Sequence, residues 1–270
     1  MAIMASSDES ARHKRSRDQF AQTVAAYVTS PWHAKGSDLS LMVELAGPLT
    51  GKSVLDVATG AGHVALAFAR EGARVVAVDL TAEMLRVAAE FTARELEGGA
   101  AHTIEFKQAP AEALPVADAT FDYVTCRIAA HHFADARGFV HECARVLKPG
   151  APLLLIDNIA PQDAELAALM NDIERERDPS HVCAYDVATW VGWLAAAGLE
   201  LHYLARWRVS KAFRAWLARA NTPPARAERI RRRIGALSDA RKAYFEVDMK
   251  AGRLESLSHE AALFKALKPA

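Results

Sequence analysis

The 270-residue sequence predicts a doubly wound α/β fold, and three observations carry that reading. Short β-type apolar runs alternate with helical patterns through the first 160 residues. One run ends at a turn with two glycines, Gly60-Ala61-Gly62, and a helical pattern follows at once. No stretch approaches the ~20 apolar residues of a membrane span, and the length suits one domain. Strands separated by helices imply right-handed crossovers and a parallel sheet.

Ser53 to Val57 reads as the first strand, followed by a helix over Val64 to Arg70. Arg74 to Val78 repeats the strand signal, with helix-type spacing from Ala82 to Leu96. Thr103 to Phe106 and Phe121 to Cys126 read as the third and fourth strands. Phe139 to Leu147 is amphipathic until Lys148-Pro149-Gly150 stops it, and Pro152 to Ile156 gives the fifth strand. Asp18 to Ala46 reads as a helical cap, Leu199 to Trp207 as strand, and Phe213 to Ala236 as a basic helical insert. The polar residues 1–18, with the run Arg12-His13-Lys14-Arg15-Ser16-Arg17, read as a disordered basic tail.

A hydrophobic fraction of 51% is enough for a large core. Thirty-three basic and 33 acidic residues cancel, which argues against a general nucleic-acid or anionic-membrane binder. One asymmetry stands out: residues 206–242 hold 12 Lys/Arg and 2 acids, a local excess of 12 − 2 = +10. That segment suits a solvated helical surface, an anionic substrate mouth or an RNA contact. Cys126, Cys143 and Cys183 form no CxxC pair, so a reducing, cytoplasmic location and no disulfide framework are expected. No His-x-x-x-His spacing suggests a metal site.

The central signal is Val54-Leu55-Asp56-Val57-Ala58-Thr59-Gly60-Ala61-Gly62-His63, a strand ending at a tight turn. Asp79 ends the next strand, nineteen residues after Gly60. A carboxylate there can accept hydrogen bonds from both hydroxyls of a ribose, worth roughly 1.5–3 kcal/mol each. Gly60-x-Gly62-x-x-Ala65 also matches a dinucleotide fingerprint. Asp56 tells against that alternative: a carboxylate four residues before the first glycine repels a pyrophosphate and favours an ammonium group. S-adenosylmethionine carries an ammonium, a sulfonium and a ribose.

Asp56-x-Ala58-x-Gly60-x-Gly62 and Val78-Asp79-Leu80-Thr81-x-x-Met84 resemble the first two motifs of class I S-adenosylmethionine-dependent methyltransferases. Ala111-Glu112-Ala113-Leu114-Pro115, Phe121-Asp122-Tyr123-Val124 and Glu142-x-x-Arg145-Val146-Leu147-Lys148-Pro149-Gly150 follow in order. Together they are similar to the type 11 group, which includes the ubiquinone/menaquinone C-methyltransferases. The resemblance implies a Rossmann-like, mostly parallel seven-stranded sheet with helices on both faces; the residue patterns add an N-terminal helical cap and a helical insert near the C-terminus, where the chain departs from the quinone enzymes. The expected divisions are a cap over 19–48, a cofactor-binding core over 49–158, a lid over 159–185 and the insert over 208–245.

The resemblance also implies where the cofactor sits. Asp56 would lie near the methionine moiety, over the turn at Ala58, Thr59, Gly60 and Gly62. Asp79 would hold the ribose, and Leu80 and Met84 would flank the adenine. Ala58 stands where Gly is common, a tolerated change if φ stays negative. Pro110 replaces the Asp that usually meets the adenine amino group, leaving Ala111 and Glu112 to hold that ring. The main chain at Cys126 and Arg127 would lie beside the methionine moiety, with Tyr27 and the Ser30-Pro31-Trp32-His33 turn closing over it.

Methyl transfer needs an aligned nucleophile and the management of one proton. His132, after the fourth strand, is the first candidate base, and His181 in Arg177-Asp178-Pro179-Ser180-His181 is the second. Either could instead serve only to hydrogen-bond a turn. His131, Asn158 and Tyr185 are candidate substrate contacts. A phenol, quinol or polyketide-like acceptor methylated on carbon or oxygen is expected, with N- or S-methylation or a nucleic-acid acceptor as alternatives. The protein is expected to act without metal, as a monomer or homodimer, with no membrane partner.

Overall fold

The computed structural model describes residues 7–28, with side chains through residue 21, and residues 36–96 and 104–270. Five strands run parallel: β1 (Ser53–Val57), β2 (Arg74–Asp79), β3 (Ile104–Gln108), β4 (Tyr123–Arg127) and β5 (Pro152–Ile159). Three more follow in the chain: β6 (Glu200–Ala212), β7 (Asp248–Lys250) and β8 (Arg253–Leu267). The sheet order is β3-β2-β1-β4-β5-β8-β6, with β7 paired to β8 off that path. The seven strands on the path match the number expected, and only β8 runs against its neighbours β5 and β6. After β1 the chain winds outward through β2 and β3, then returns to the other side of β1 as β4. The carboxyl ends of β1 and β4 therefore flank a topological switch point, where such sheets bind ligands.

Alternation along the strands divides the core between two faces. Leu55, Val57, Leu153 and Leu155 point to one side with Phe139 of α5 (Ala136–Val146) and Trp190 of α7 (Val187–Ala196). Val54, Leu154 and Ile156 point to the other with Met42 of α2 (Ser37–Ala46), Phe68 of α3 (His63–Arg70) and Phe91 of α4 (Ala82–Glu95). Both faces are covered, so the strands read as continuous apolar runs. Carboxylate caps set helix starts: Asp135 accepts from the Gly138 N–H, and Asp186 accepts from the Thr189 N–H.

The structure corrects two sequence expectations and adds a strand that the sequence reading did not assign. Residues 7–18 form the first half of helix α1 (Ser7–Val28), not a disordered tail. The helix is held by partners distant in sequence, with Arg12 Nη1 donating to the Ala134 carbonyl at 3.0 Å and Ser16 only 3% exposed. Residues 208–212, assigned to the insert, belong to β6. The insert proper is α8 (Phe213–Arg219), α9 (Pro224–Gly235) and α10 (Asp239–Tyr244). The unassigned strand is β8, which fills the gap between β5 and β6 with 15 residues. Being central it is buried on both faces over much of its length, so it lacks the period-two signal of a half-buried strand.

Candidate active site

A cleft of about 980 Å³ opens at the carboxyl ends of β1, β2 and β4. Its floor is the turn after β1. Thr59 N–H donates to the Val78 carbonyl, tying that turn to β2. Ala58 has φ +55°, so the condition under which Ala is tolerated there is not met, and its Cβ occupies a left-handed conformation that Gly adopts without strain. Gly60 lines the cleft, whereas Gly62 is the N-cap of α3 beneath it. A Cβ at Gly62 would come within 3.1 Å of Thr92 and 3.2 Å of Ala88, so this glycine serves helix packing.

Two carboxylates face this turn. Asp56 is 1% exposed; its Oδ1 accepts from Thr125 Oγ1 at 2.8 Å, while its Oδ2 is buried without a hydrogen-bond partner. Burial pushes its carboxyl up to about 6. Asp79 accepts the Gly60 N–H on Oδ2 and the Thr81 N–H on Oδ1, both at 2.9 Å. Burial again pushes its carboxyl above the ordinary range, against the pull of those bonds. Each Asp79 oxygen keeps a second lone pair.

Leu80, Met84, Pro110, Ala111 and Glu112 line one wall. Glu112 is anchored from two sides: Oε1 accepts the Asp135 N–H at 3.0 Å, and Oε2 lies 3.3 Å from His13 Nε2 of α1. Burial raises the Glu112 carboxyl, but the His13 and Asp135 bonds bring it below its ordinary value. His13, Ser16 and Phe20 place α1 along the cleft, a contribution that the tail assignment hid. The side chain of Tyr27 and the Ser30–His33 turn lie outside the described residues.

The opposite wall is the chain after β4. Arg127 lines the cleft and binds Asp38 of α2 through two bonds. Ile128 has φ +57°, a strained setting for a β-branched residue. Cys126 is not on the cleft wall; its side chain belongs to the core, where burial pushes the thiol up. His132 is on the wall, with its ring edge-on to Phe20 at 4.9 Å between centroids. Its Nδ1 lies 3.0 Å from Ser180 Oγ, and burial holds its proton affinity down to about 4.

The other candidates lie elsewhere. His131 sits behind His132, with Nδ1 2.5 Å from Asp157 Oδ1 and its backbone N–H on Asp157 Oδ2. His181 is not on the cleft wall: its Nε2 lies 2.7 Å from Asn171 Oδ1, and its Nδ1 is buried without a partner. Asn158 holds His259 at 2.8 Å, and Tyr185 packs edge-on against Trp190 and Trp193. Neither Asn158 nor Tyr185 lines the cleft, because both turn into packing beneath it. Part of the charge of the basic segment is paired with acids elsewhere in the fold. Arg206 pairs with Glu260, Arg208 with Glu246, Arg229 with Glu176, Arg233 with Asp172 and Arg241 with Glu165.

Residues 55–155 match a family described as "Methyltransferase domain". A Bacillus subtilis (strain 168) protein described as "uncharacterized methyltransferase YcgJ" is 35% identical over 250 residues, covering 92% of this chain and 97% of that one. The chain belongs to this methyltransferase family. A solved methyltransferase structure from Bacillus halodurans C-125 is 39% identical, with a TM-score of 0.83 over 87% of this chain and 100% of that one. The ubiquinone/menaquinone biosynthesis C-methyltransferase of Pseudomonas fluorescens (strain SBW25) is 38% identical over 125 residues, 45% of this chain and 48% of that protein. The protein is thus an S-adenosylmethionine-dependent methyltransferase. The residues present fit that cofactor. The orphaned buried oxygen of Asp56 suits an ammonium group, and Asp79 retains lone pairs for hydroxyls. Among the described residues no helix is long and apolar enough to cross a membrane.

Proposed function

We propose that this methyltransferase methylates the oxygen or an electron-rich carbon of a phenol, quinol or related enolic metabolite, with His132 taking the acceptor's proton. The observation that carries this reading is the His132 imidazole on the wall of the same cleft that holds Asp56 and Asp79. Asp56 receives the ammonium end of the cofactor, Asp79 the ribose, and the Leu80, Met84 and Ala111 wall the adenine. When bound, the cofactor supplies a methyl group on positively charged sulfur, open to displacement by an electron-rich atom.

His132 is a weak base, and weakness suits the task. An oxygen or ring carbon that gains a methyl group becomes strongly acidic as the new bond forms, so a neutral imidazole suffices to take its proton. With a proton affinity near 4, His132 is neutral throughout the physiological range and needs no activation. Phe20 and Phe133 give that part of the cleft an apolar boundary, which favours a flat, uncharged acceptor over a phosphorylated one. The partial relatives named as C-methyltransferases support carbon as the acceptor atom.

The test is incubation of the purified protein with methyl-labelled S-adenosylmethionine and a panel of phenols, quinols, enols, amines, thiols and RNA. Label is expected in phenolic or enolic products, with His132→Ala lowering incorporation by about 10²–10⁴-fold. Label confined to amines, thiols or RNA would overturn the acceptor class.

A further inference from the structure

Two residues from the loop after α6 (Ala164–Arg177) complete the environment of His132, although neither lines the cleft. Ser180 Oγ lies 2.5 Å from Asp178 Oδ1 and 3.0 Å from His132 Nδ1. All three side chains are buried, Asp178 at 1% and Ser180 at 2% exposure. The loop cannot drift from the histidine turn, because the backbone N–H groups of Val182 and Cys183 both donate to the His131 carbonyl, at 2.9 and 3.1 Å. Its far side is stitched to α6, where Asn171 Oδ1 accepts from the Ala184 N–H and meets His181 Nε2, both at 2.7 Å.

We infer that Asp178 and Ser180 are positioning residues that hold His132 with its proton on Nδ1 and its lone pair on Nε2. The argument is one of donor accounting. An ionised carboxylate only accepts, so the single hydroxyl proton of Ser180 is committed to Asp178. Ser180 Oγ can then only accept from His132, which requires the proton on Nδ1. With the proton on Nδ1, Nε2 is left as the basic nitrogen.

The inference rests on His132 being the base, and it adds what that base needs during turnover. When Nε2 takes the acceptor's proton, the ring becomes an imidazolium with N–H on both nitrogens. The Nδ1–H still donates to Ser180, whose hydroxyl still donates to Asp178, so no bond in the chain reverses. The positive charge forms opposite a buried carboxylate whose Oδ2 has no hydrogen bond among the described residues and faces Arg177 Nη2 at 3.6 Å. The other titratable groups around the ring are His131 on its own turn, Asp157 on β5 and His181 on the loop. His131 works against a charge on the ring, Asp157 favours it, and the His181 ring meets it edge-on. Only Asp178 is linked to a ring nitrogen through a hydrogen-bond chain.

The test reads the tautomer directly, by long-range proton–nitrogen NMR of the histidine rings in the nitrogen-15-labelled full chain. His132→Gln assigns the His132 signals by their disappearance. At pH 7 the wild type should show protonated Nδ1 and bare Nε2. Ser180→Ala should release this preference toward the Nε2–H form and lower methyl-label incorporation about tenfold or more, while Ser180→Thr restores both. Asp178→Asn should shift the His132 titration to lower pH. A wild-type ring protonated on Nε2 overturns the inference even if the Ser180 and Asp178 variants fail to fold. An unchanged tautomer in a folded Ser180→Ala protein overturns it as well. If the Nδ1–H form is present and depends on Ser180, but His132→Gln leaves incorporation unchanged, the anchoring stands and the base assignment falls.

Discussion

The Arg127 guanidinium grips the Asp38 carboxylate through two bonds, Nε to Oδ2 at 2.6 Å and Nη2 to Oδ1 at 2.9 Å, with both side chains almost dry at 4% and 6% exposure. This pair joins α2 to the end of β4, the point where the cleft wall begins. Breaking such a buried pair from one side leaves a charge poorly compensated. Asp38→Ala should therefore destabilise the protein by about 3 kcal/mol, read as a lower denaturant midpoint. Adding Arg127→Leu should recover part of that loss. Equal stability of wild type and Asp38→Ala would show that the pair does not hold α2 in place.

Ala58 at φ +55° predicts the opposite sign. An alanine in the left-handed region costs roughly 1–2 kcal/mol, and a glycine there gives back part of the gain as unfolded-chain entropy. Ala58→Gly should raise stability by about 1 kcal/mol, or ~2–4 °C in melting temperature. Ala58→Val, β-branched in the same setting, should lower it. A less stable glycine variant would mean that the turn does not carry this strain in solution.

That Asp56, Gly60 and Asp79 meet in one cleft was legible because their signal is local. Asp56, Gly60 and Asp79 lie on strand–turn–helix patterns within about two dozen residues, and the fold brings the two carboxylates to one cleft. His132 was legible from its place after a strand. What could not be read joins residues distant in sequence. Ser180 meets His132 across 48 positions, and His13 meets Glu112 across 99. A polar run rich in Arg and Lys carries no periodic mark of docking, so the start of α1 passed for a tail. Asn158 and Tyr185 sit at a strand edge and a loop, where substrate contacts are often found. Their own partners, His259 and the Trp190–Trp193 pair, draw them inward.

Asp79 bears on affinity and on the turn together. Its carboxylate holds the N–H groups of Gly60 and Thr81, so removal costs more than ribose contacts. Asp79→Ala should weaken S-adenosylhomocysteine binding by roughly 10–150-fold by calorimetry, from ~1.5–3 kcal/mol of lost charged hydrogen bonding. It should also lower the melting temperature of the ligand-free protein. Unchanged affinity would remove Asp79 as the ribose ligand.

Asp56 predicts how binding depends on pH, and the sign follows from its burial. In the ligand-free protein its carboxyl is pushed up to about 6, so it is mostly ionised at pH 7 and mostly neutral at pH 5. An ammonium group binds the ionised form, which draws the proton affinity down in the complex. Affinity for S-adenosylhomocysteine should therefore be full above about pH 7 and fall by about tenfold by pH 5, with a proton released on binding near pH 6. Calorimetry in buffers of different ionisation enthalpy measures both quantities. Asp56→Asn should weaken binding at pH 7 and flatten this slope. The same substitution should stabilise the ligand-free protein at neutral pH. A carboxyl with a raised folded value favours folding most below its unfolded value of 3.8, and that contribution is lost as the pH rises to about 6. Asparagine never meets this cost. If the slope persists in Asp56→Asn, another group titrates on binding, and Asp79, also raised by burial, is the one to substitute next.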